Sequence, residues 1–239
     1  SSAASYLGVA IGFVNAVILM PKFMTPDQIG LFRTLLSAAL LLSNFGRFGV
    51  NSGLVRFKSL LKHPQTELKS LYGLGILIVF LSTLFFLIIL IIFRSSWSDF
   101  YAEKSPQIND YFILLIVLTL ELIVFQFLQT LASVHKNIFT ANLLKNLVYK
   151  CLNMGGILLF ATSVISFNTF IILHVYFYII LITLLFFESL YKYKIKISFK
   201  PLTPQITREL IYYCGTIFIS GLGLSFLNLA DQQLVSRYL

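Results

Sequence analysis

The chain has 239 residues, of which 58% are hydrophobic and only 11% charged, and its formal net charge is +9. Soluble domains carry about 25% charged residues, so the composition excludes an ordinary soluble domain and predicts a polytopic membrane protein. The Lys and Arg residues are spread over three separate loops. This spread favours contact with anionic membrane lipids and argues against nucleic acid as a partner.

Seven apolar segments are long enough to cross a membrane. A helix rises about 1.5 Å per residue, so about 20 apolar residues span the hydrocarbon core. The segments are apolar on every face, which predicts helices rather than the alternating strands of a barrel. We therefore expect an all-α transmembrane bundle. The segments are approximately 6–24, 26–45, 71–93, 111–134, 141–164, 167–187 and 210–229.

The start of the second segment carries a helix-initiation pattern. Thr25 is a candidate N-cap, Pro26 suits the first helical position, and Gln28 can complete a capping box. Pro21 helps to end the first segment. The first two segments are therefore predicted to form a tight helical hairpin.

The distribution of cations predicts the orientation. Thirteen of the 18 Lys and Arg residues follow the second, fourth and sixth segments. Loops rich in Lys and Arg stay on the cytoplasmic side. This count places the N-terminus in the cytoplasm.

Two segments share a local pattern. Gly8 to Asn15 in the first segment and Gly221 to Asn228 in the seventh both have two small residues four apart, followed by Phe, an aliphatic residue and Asn. The pattern is either the common small-residue packing motif of membrane helices or the mark of an internal repeat.

The repeat interpretation divides the chain into three parts. Residues 1–191 would form a six-helix lobe, and residues 192–209 a basic cytoplasmic linker. Residues 210–239 would then be the first helix of a second lobe, with the C-terminal half of the same protein missing.

Polar residues inside the membrane are candidate site residues, because a charge there is costly. Arg33, Ser37, Asn44 and Arg47 fall on one side of the second segment, and Asn15 lies in the first. The stripe indicates a water-filled or substrate-lined interior. Alternatively, Arg33 reaches to the outer interface, and Arg47 is ordinary cytoplasmic positive charge, which is the favoured interpretation for Arg47.

Acids and histidines give further candidates. Glu121 lies mid-membrane and is either protonated or paired with a cation such as Arg33. It could couple transport to an ion or only bond two helices. Asp231 is either an interfacial acid or a second coupling residue. We expect His174 to be a satisfied core residue and His135 to be solvated.

Motifs of common enzymes are missing from the sequence. It contains no Cys/His cluster at metal spacing, no phosphate-binding glycine loop and no Gly-x-Ser-x-Gly turn. We therefore predict a protein that is not an enzyme and that uses no cofactor and no metal.

The stretches 6–15, 21–33 and 49–53 resemble the opening of bacterial oligosaccharide flippases. These are the Wzx-type flippases for O-antigen and capsule units, in the multidrug/oligosaccharidyl-lipid/polysaccharide exporter superfamily. The resemblance implies two six-helix lobes around a central cavity in the bacterial plasma membrane. It also implies the flipping of undecaprenyl-diphosphate-linked oligosaccharides to the periplasmic leaflet, for surface polysaccharide synthesis.

Under this resemblance, the predicted substrate-binding residues are Arg33, Ser37, Asn44 and Asn15, and the predicted ion-coupling residues are Glu121 and Asp231. The partners would be the lipid-linked oligosaccharide, membrane lipids and the missing half of the chain. Two alternatives stay open. One is an ion-coupled small-molecule exporter that resembles multidrug antiporters and uses Glu121. The other is a membrane-embedded glycan polymerase or acyltransferase.

Overall fold

The structure is a computed structural model that describes residues 2–61, 64–95 and 106–238, without the side chains of 2–4, 64–65, 106–108, 222 and 224–238. The described residues are helical and contain no strand. Six of their helices are long and apolar enough to cross a membrane, which confirms the all-α polytopic bundle. These spans are Ser5–Phe23, Pro26–Arg47, Thr66–Ile92, Asn109–Val134, Phe139–Ala161 and Phe167–Tyr191.

The described residues form ten α-helices. Two short π-helical segments, Val14–Leu19 and Leu144–Val148, join neighbouring α-helices into longer ones. We call the resulting continuous helices 2–23 and 139–161 the first helix and the fifth helix. The α-helices are α1 (Ser2–Phe13), α2 (Met20–Phe23), α3 (Pro26–Arg47), α4 (Val50–Lys58), α5 (Pro64–Ile92), α6 (Phe112–Val134), α7 (Phe139–Leu143), α8 (Tyr149–Ala161), α9 (Phe167–Tyr191) and α10 (Pro204–Tyr238).

The predicted start of α3 is confirmed in detail. The Thr25 hydroxyl accepts a hydrogen bond from the Gln28 N–H at 3.4 Å, and the Gln28 side chain accepts one from the Thr25 N–H at 3.0 Å. This capping box satisfies two backbone donors that have no partner within the helix. Pro26 occupies the first turn.

The core follows α6, which packs between α3 and α9. Leu115 and Leu118 of α6 belong to one apolar cluster, together with Leu35 of α3. Farther along α6, Phe125 belongs to a second cluster, together with Leu181 of α9. The two clusters are therefore stacked along the bundle, and α6, like α5, α9 and the fifth helix, contributes to both.

The first helix packs against the fifth helix rather than along α3. Gly8 is buried, and a Cβ atom there would collide with the backbone carbonyl of Asn146. Gly12 faces the Lys150 side chain, and the Asn15 side-chain amide donates to the Lys150 carbonyl at 2.9 Å. The predicted packed face is correct, but the predicted hairpin partner is wrong. Small residues let the fifth helix approach most closely.

A sharp break separates α3 from α4. Phe48 has a φ of 46° and Gly49 a φ of 70°, so both lie in the left-handed region. Gly49 is suited to this conformation because it has no Cβ atom. Gly49 and Gly53 also allow α10 to approach, since a Cβ atom on either would collide with Cys214.

The start of α10 lies against the bundle. Leu210 and Cys214 are fully buried in the same apolar cluster as α4. Tyr212, on another face of α10, is 79% exposed. One face of this helix is therefore packed and another is open. The division into a lobe (1–191), a linker and a second-lobe helix (210–239) stays a prediction.

The loops after α4, α6 and α9 meet at one end of the bundle, which we call the basic end. The Lys58 ammonium donates to the Val134 carbonyl. The Tyr72 hydroxyl and the His135 Nε2 are 3.0 Å apart, and the Tyr193 ring stacks on His135 with centroids 4.9 Å apart. The prediction of a solvated His135 is therefore wrong, because its half-buried ring contacts Tyr72 of α5 and Tyr193, which are distant in sequence.

Glu188 is a second polar hub at the basic end. Its Oε1 accepts hydrogen bonds from the Thr140 hydroxyl at 2.8 Å, the Tyr193 hydroxyl at 3.0 Å and the Lys192 ammonium at 3.2 Å. These bonds join the end of α9 to the start of the fifth helix. The basic end is thus held by side-chain hydrogen bonds.

The opposite end of the bundle holds Arg94, whose guanidinium lies 5.2 Å from the centroid of the Phe112 ring. The connections between successive long helices therefore lie alternately at the two ends of the bundle, as the hydropathy pattern predicts. Which end faces the cytoplasm stays a prediction.

Candidate functional site

A pocket of about 150 Å³ opens where α3, α4 and α10 meet. It exists because the backbone changes direction at Gly49, so that the end of α3 and the start of α4 become two of its walls. The side of α10 forms the third wall. The pocket is lined by Asn44, Arg47, Gly49, Asn51, Ser52, Ile217, Phe218 and Gly221.

The α4 wall favours a negative charge. The first N–H groups of a helix have no acceptor within the helix and carry a partial positive charge. Asn51 and Ser52 belong to this first turn and line the pocket. The buried Oδ1 of Asn51 has no hydrogen-bond partner among the described residues. The N–H groups at a helix N-terminus commonly bind phosphate or carboxylate, whereas the Asn51 oxygen is an acceptor and would need a donor group of the ligand.

Arg47 supplies a full charge at the same place. Its Nε donates to the Ser43 carbonyl at 3.2 Å, and its terminal nitrogen donates to Asn44 Oδ1. These bonds hold the guanidinium beside the pocket. Lys145, an exposed residue of the fifth helix, lies within electrostatic range of Arg47.

No carboxylate neutralises this pair of cations within the described chain. The one ion pair found there joins Lys192 to Glu188 at 3.2 Å. Two neighbouring like charges repel each other, and an anion placed between them relieves the repulsion. The pocket lined by Arg47 and the α4 N-terminus therefore suits an anionic ligand, and Lys145 adds positive charge within electrostatic range of Arg47.

The four predicted substrate-binding residues are not brought together. Arg33 is exposed and donates to the Ala16 carbonyl at 3.3 Å. Ser37 is buried and donates to the Thr34 carbonyl at 3.1 Å. Asn15 bonds to the fifth helix, as described above. Of the four, only Asn44 lines the pocket, so their shared role as substrate ligands stays a prediction.

Glu121 is buried in α6, with 9% of its surface exposed. Its Oε2 has no hydrogen-bond partner, and it forms no ion pair with Arg33 or any other cation of the described residues. The predicted pairing with Arg33 is therefore not found. Tyr178 of α9 lies within electrostatic range of Glu121. A coupling role for Glu121 stays a prediction.

The two remaining titratable candidates are His174 and Asp231. His174 is fully buried, and its Nε2 lies 3.3 Å from Asn153 Oδ1, which confirms the prediction of a satisfied core histidine. Asp231 is a position of α10 whose side chain lies outside the described residues, so its predicted role in coupling is open.

Sequence reasoning missed Lys145 near this site. It placed Arg47 on the polar stripe with Asn44, but the favoured interpretation of Arg47 was ordinary cytoplasmic positive charge. The usable signal was its position just before Gly49, where a helix break beside polar residues creates a concave surface. Nothing in the sequence indicates that Lys145 approaches it from the fifth helix.

Among residues 2–61, 64–95 and 106–238, no group of three His, Cys, Asp or Glu side chains could hold a metal ion. Comparison of the chain with family models, with curated proteins and with solved structures finds no match.

Proposed function

We propose that this chain flips an undecaprenyl-diphosphate-linked oligosaccharide across the bacterial plasma membrane by alternating access, with its basic end in the cytoplasm. The observation that carries the proposal is the cationic pocket at the basic end, which Arg47 and the first turn of α4 line, with Lys145 within electrostatic range of Arg47. A lipid-linked sugar presents its diphosphate at the membrane boundary, and this pocket lies at the end of the membrane-spanning helix Pro26–Arg47. The resemblance of stretches 6–15, 21–33 and 49–53 to oligosaccharide flippases supports the same function.

In this proposal the phosphate contact belongs to Arg47, which lines the pocket, rather than to Arg33, which does not. A guanidinium can donate two parallel hydrogen bonds to one phosphate group, whereas an ammonium acts as a point charge. Arg33 is a matched control, because it lies on the same helix, is exposed and is bonded only to a backbone carbonyl in the described structure.

The test uses the purified full chain in liposomes with a fluorescent undecaprenyl-diphosphate disaccharide. Flipping is measured as accessibility of the sugar to a membrane-impermeant reagent. Arg47→Gln should slow flipping about tenfold or more, since hydrogen bonds to charged groups contribute about 1.5–3 kcal/mol. Arg47→Lys should have an intermediate rate, and Arg33→Gln should resemble the parent.

Two results would contradict this assignment. Loss of flipping in Arg33→Gln alone would return the phosphate contact to Arg33. Failure of the parent chain to move the lipid would overturn the proposed function. Equal amounts of folded protein in each liposome preparation are the control for assembly.

Glu121 supports a second candidate function, an ion-coupled exporter of small cations. Its buried, unpartnered oxygen could bind a proton or metal cation during a transport cycle. In the same liposomes, the parent would then accumulate a cationic dye when a proton or sodium gradient is applied, and Glu121→Gln would not. Dye accumulation without lipid flipping would favour the exporter function over the flippase function.

A further inference from the structure

A second cavity lies apart from the site described above, where the segment between α9 and α10 crosses the start of α5. Its volume is about 450 Å³, within the range of small-ligand pockets, which is about 300–1,000 Å³. The walls carry two lysines, one acid and four hydroxyl side chains: Lys69, Lys200, Glu67, Thr66, Ser70, Ser198 and Thr203.

The crossing segment is fixed to α5 by backbone contacts. The Ser198 N–H donates to the Lys69 carbonyl at 3.0 Å. Gly73 allows this approach, since a Cβ atom there would collide with the Ser198 carbonyl. Leu202, two residues beyond Lys200, is only 8% exposed and belongs to the apolar core. These contacts hold Lys200 near Lys69, so the cavity is built into the fold.

We propose that this cavity binds the phosphodiester headgroup of an anionic phospholipid. Two lysines and one glutamate leave one net positive charge among the lining side chains, which matches one phosphodiester better than a doubly charged free phosphate. The hydroxyl groups can donate further hydrogen bonds to phosphate oxygens. The cavity also lies at the end of a membrane-spanning helix, Thr66–Ile92, which is the depth of the headgroups.

The occupant would join α5 to the crossing segment. Lys69 belongs to α5 and Lys200 to the segment that leads into α10. A headgroup between them would neutralise both lysines and fix the start of α10 relative to the bundle. This inference depends only on the protein being in a membrane, and not on what it transports.

The experiment measures binding of short-chain phosphatidylglycerol to the purified full chain in neutral detergent, below the concentration at which the lipid forms micelles. The double variant Lys69→Gln/Lys200→Gln should weaken binding about 30-fold, because each lysine near a lipid phosphate contributes about 1 kcal/mol and two are removed. The matched control is Lys194→Gln/Lys196→Gln, which removes two exposed lysines of the same segment that do not line the cavity. The control should stay within about twofold of the parent.

Inorganic phosphate and short-chain phosphatidylcholine are the comparison ligands. Weak binding of both would support a site for an anionic lipid headgroup. Phosphate binding as tight as phosphatidylglycerol binding, and equally sensitive to Lys69 and Lys200, would overturn the lipid as the source and leave a free-phosphate site. Equal weakening by the two double variants would overturn the site, because diffuse surface charge would then explain the binding.

Discussion

Two contacts stabilise the bundle through different interactions. One joins the first and fifth helices, and the other lies at the basic end. At the first contact Gly8 lies directly against backbone, and complementary shape brings the helices together. At the basic end, Glu188 and His135 join several elements through hydrogen bonds and ring stacking. A contact made by shape should respond to side-chain volume and not to pH. A contact made by polar groups should respond to charge and pH.

The largest effect is expected at Glu188. Glu188→Ala removes the acceptor shared by Thr140, Tyr193 and Lys192 and should lower the free energy of unfolding by about 3 kcal/mol, the upper range for hydrogen bonds to a charged group. Thermal unfolding in detergent measures the change. Glu188→Gln keeps an acceptor oxygen and should lose much less. A loss of the same size in both variants would show that charge, and not the hydrogen bonds, stabilises this hub.

The second largest effect is expected at Gly8, where the first and fifth helices pack closely. Gly8→Ala should lower the free energy of unfolding by about 2 kcal/mol, since the new methyl group forces the Asn146 backbone away. Gly155→Ala is the control on the fifth helix, because a Cβ atom there meets nothing within 4 Å. It should be neutral or stabilising by up to about 1 kcal/mol, owing to the higher helix propensity of Ala. Equal effects of the two substitutions would mean that the close contact does not stabilise the bundle.

The pattern shared by Gly8–Asn15 and Gly221–Asn228 adds a second control to the shape test. A Cβ atom on Gly221 meets nothing within 4 Å of the described residues, whereas Gly8 is tightly packed. Gly221→Ala should therefore behave like Gly155→Ala. A large loss of stability in Gly221→Ala would indicate that another surface covers this face of α10.

These residues also show how far the sequence could predict the structure. The spans and the Thr25 cap were predictable because hydropathy and capping depend on neighbouring residues. The packed face of Gly8 was predictable too, since small residues mark close helix contacts. Its partner was not, because spacing within one helix carries no information about which other helix approaches.

The candidate site was harder to predict for the same reason. Arg47 and Lys145 are 98 positions apart, and their proximity depends on how α3 and the fifth helix pack. The environment of His135 likewise depends on Tyr72 and Tyr193, from two other helices or loops. Individual polar residues could be named from the sequence, but the set that shares one space could not.

A smaller effect is expected at Asn15. Asn15→Leu removes the hydrogen bond to the Lys150 carbonyl and should lower the free energy of unfolding by about 0.6 kcal/mol, the average for such bonds between membrane helices. Unfolding at pH 5.5 and pH 8 should show the same loss, since no titratable side chain takes part in this bond. A loss of unfolding free energy that changes with pH would show that the contact between the first and fifth helices also depends on titratable groups. It would then not differ from the basic end in this respect.

The smallest effect concerns pH at the basic end. Burial, and then the nearby Lys58 ammonium, lower the pKa of His135 from its ordinary 6.5. The folded protein therefore binds this proton less readily than the unfolded chain does. The contribution of neutral His135 to the free energy of unfolding is therefore complete above about pH 6.5. It is lost as the pH falls below 6.5 and passes through the lower pKa of His135 in the folded protein.

Unfolding midpoints measured from pH 8 to pH 5 would test this effect. The parent should lose stability on acidification below pH 6.5, and His135→Gln should show a flatter profile. Glu188 and Tyr193 remain in both proteins, so the difference between the two profiles isolates His135. Identical profiles would exclude His135 as the source of the pH dependence.

The π-helical segment Val14–Leu19 has a consequence for the phase of the first helix. A π-helical turn contains more residues than an α-helical turn, so the segment acts as a local insertion. If the same residues were wound as a regular α-helix, with none deleted, everything before the segment would rotate by about 100°, the angle that one residue occupies in an α-helix. Gly8 would then turn away from Asn146 and a bulkier neighbour would meet the fifth helix. The alignment of the two helices thus depends on one additional residue in their middle.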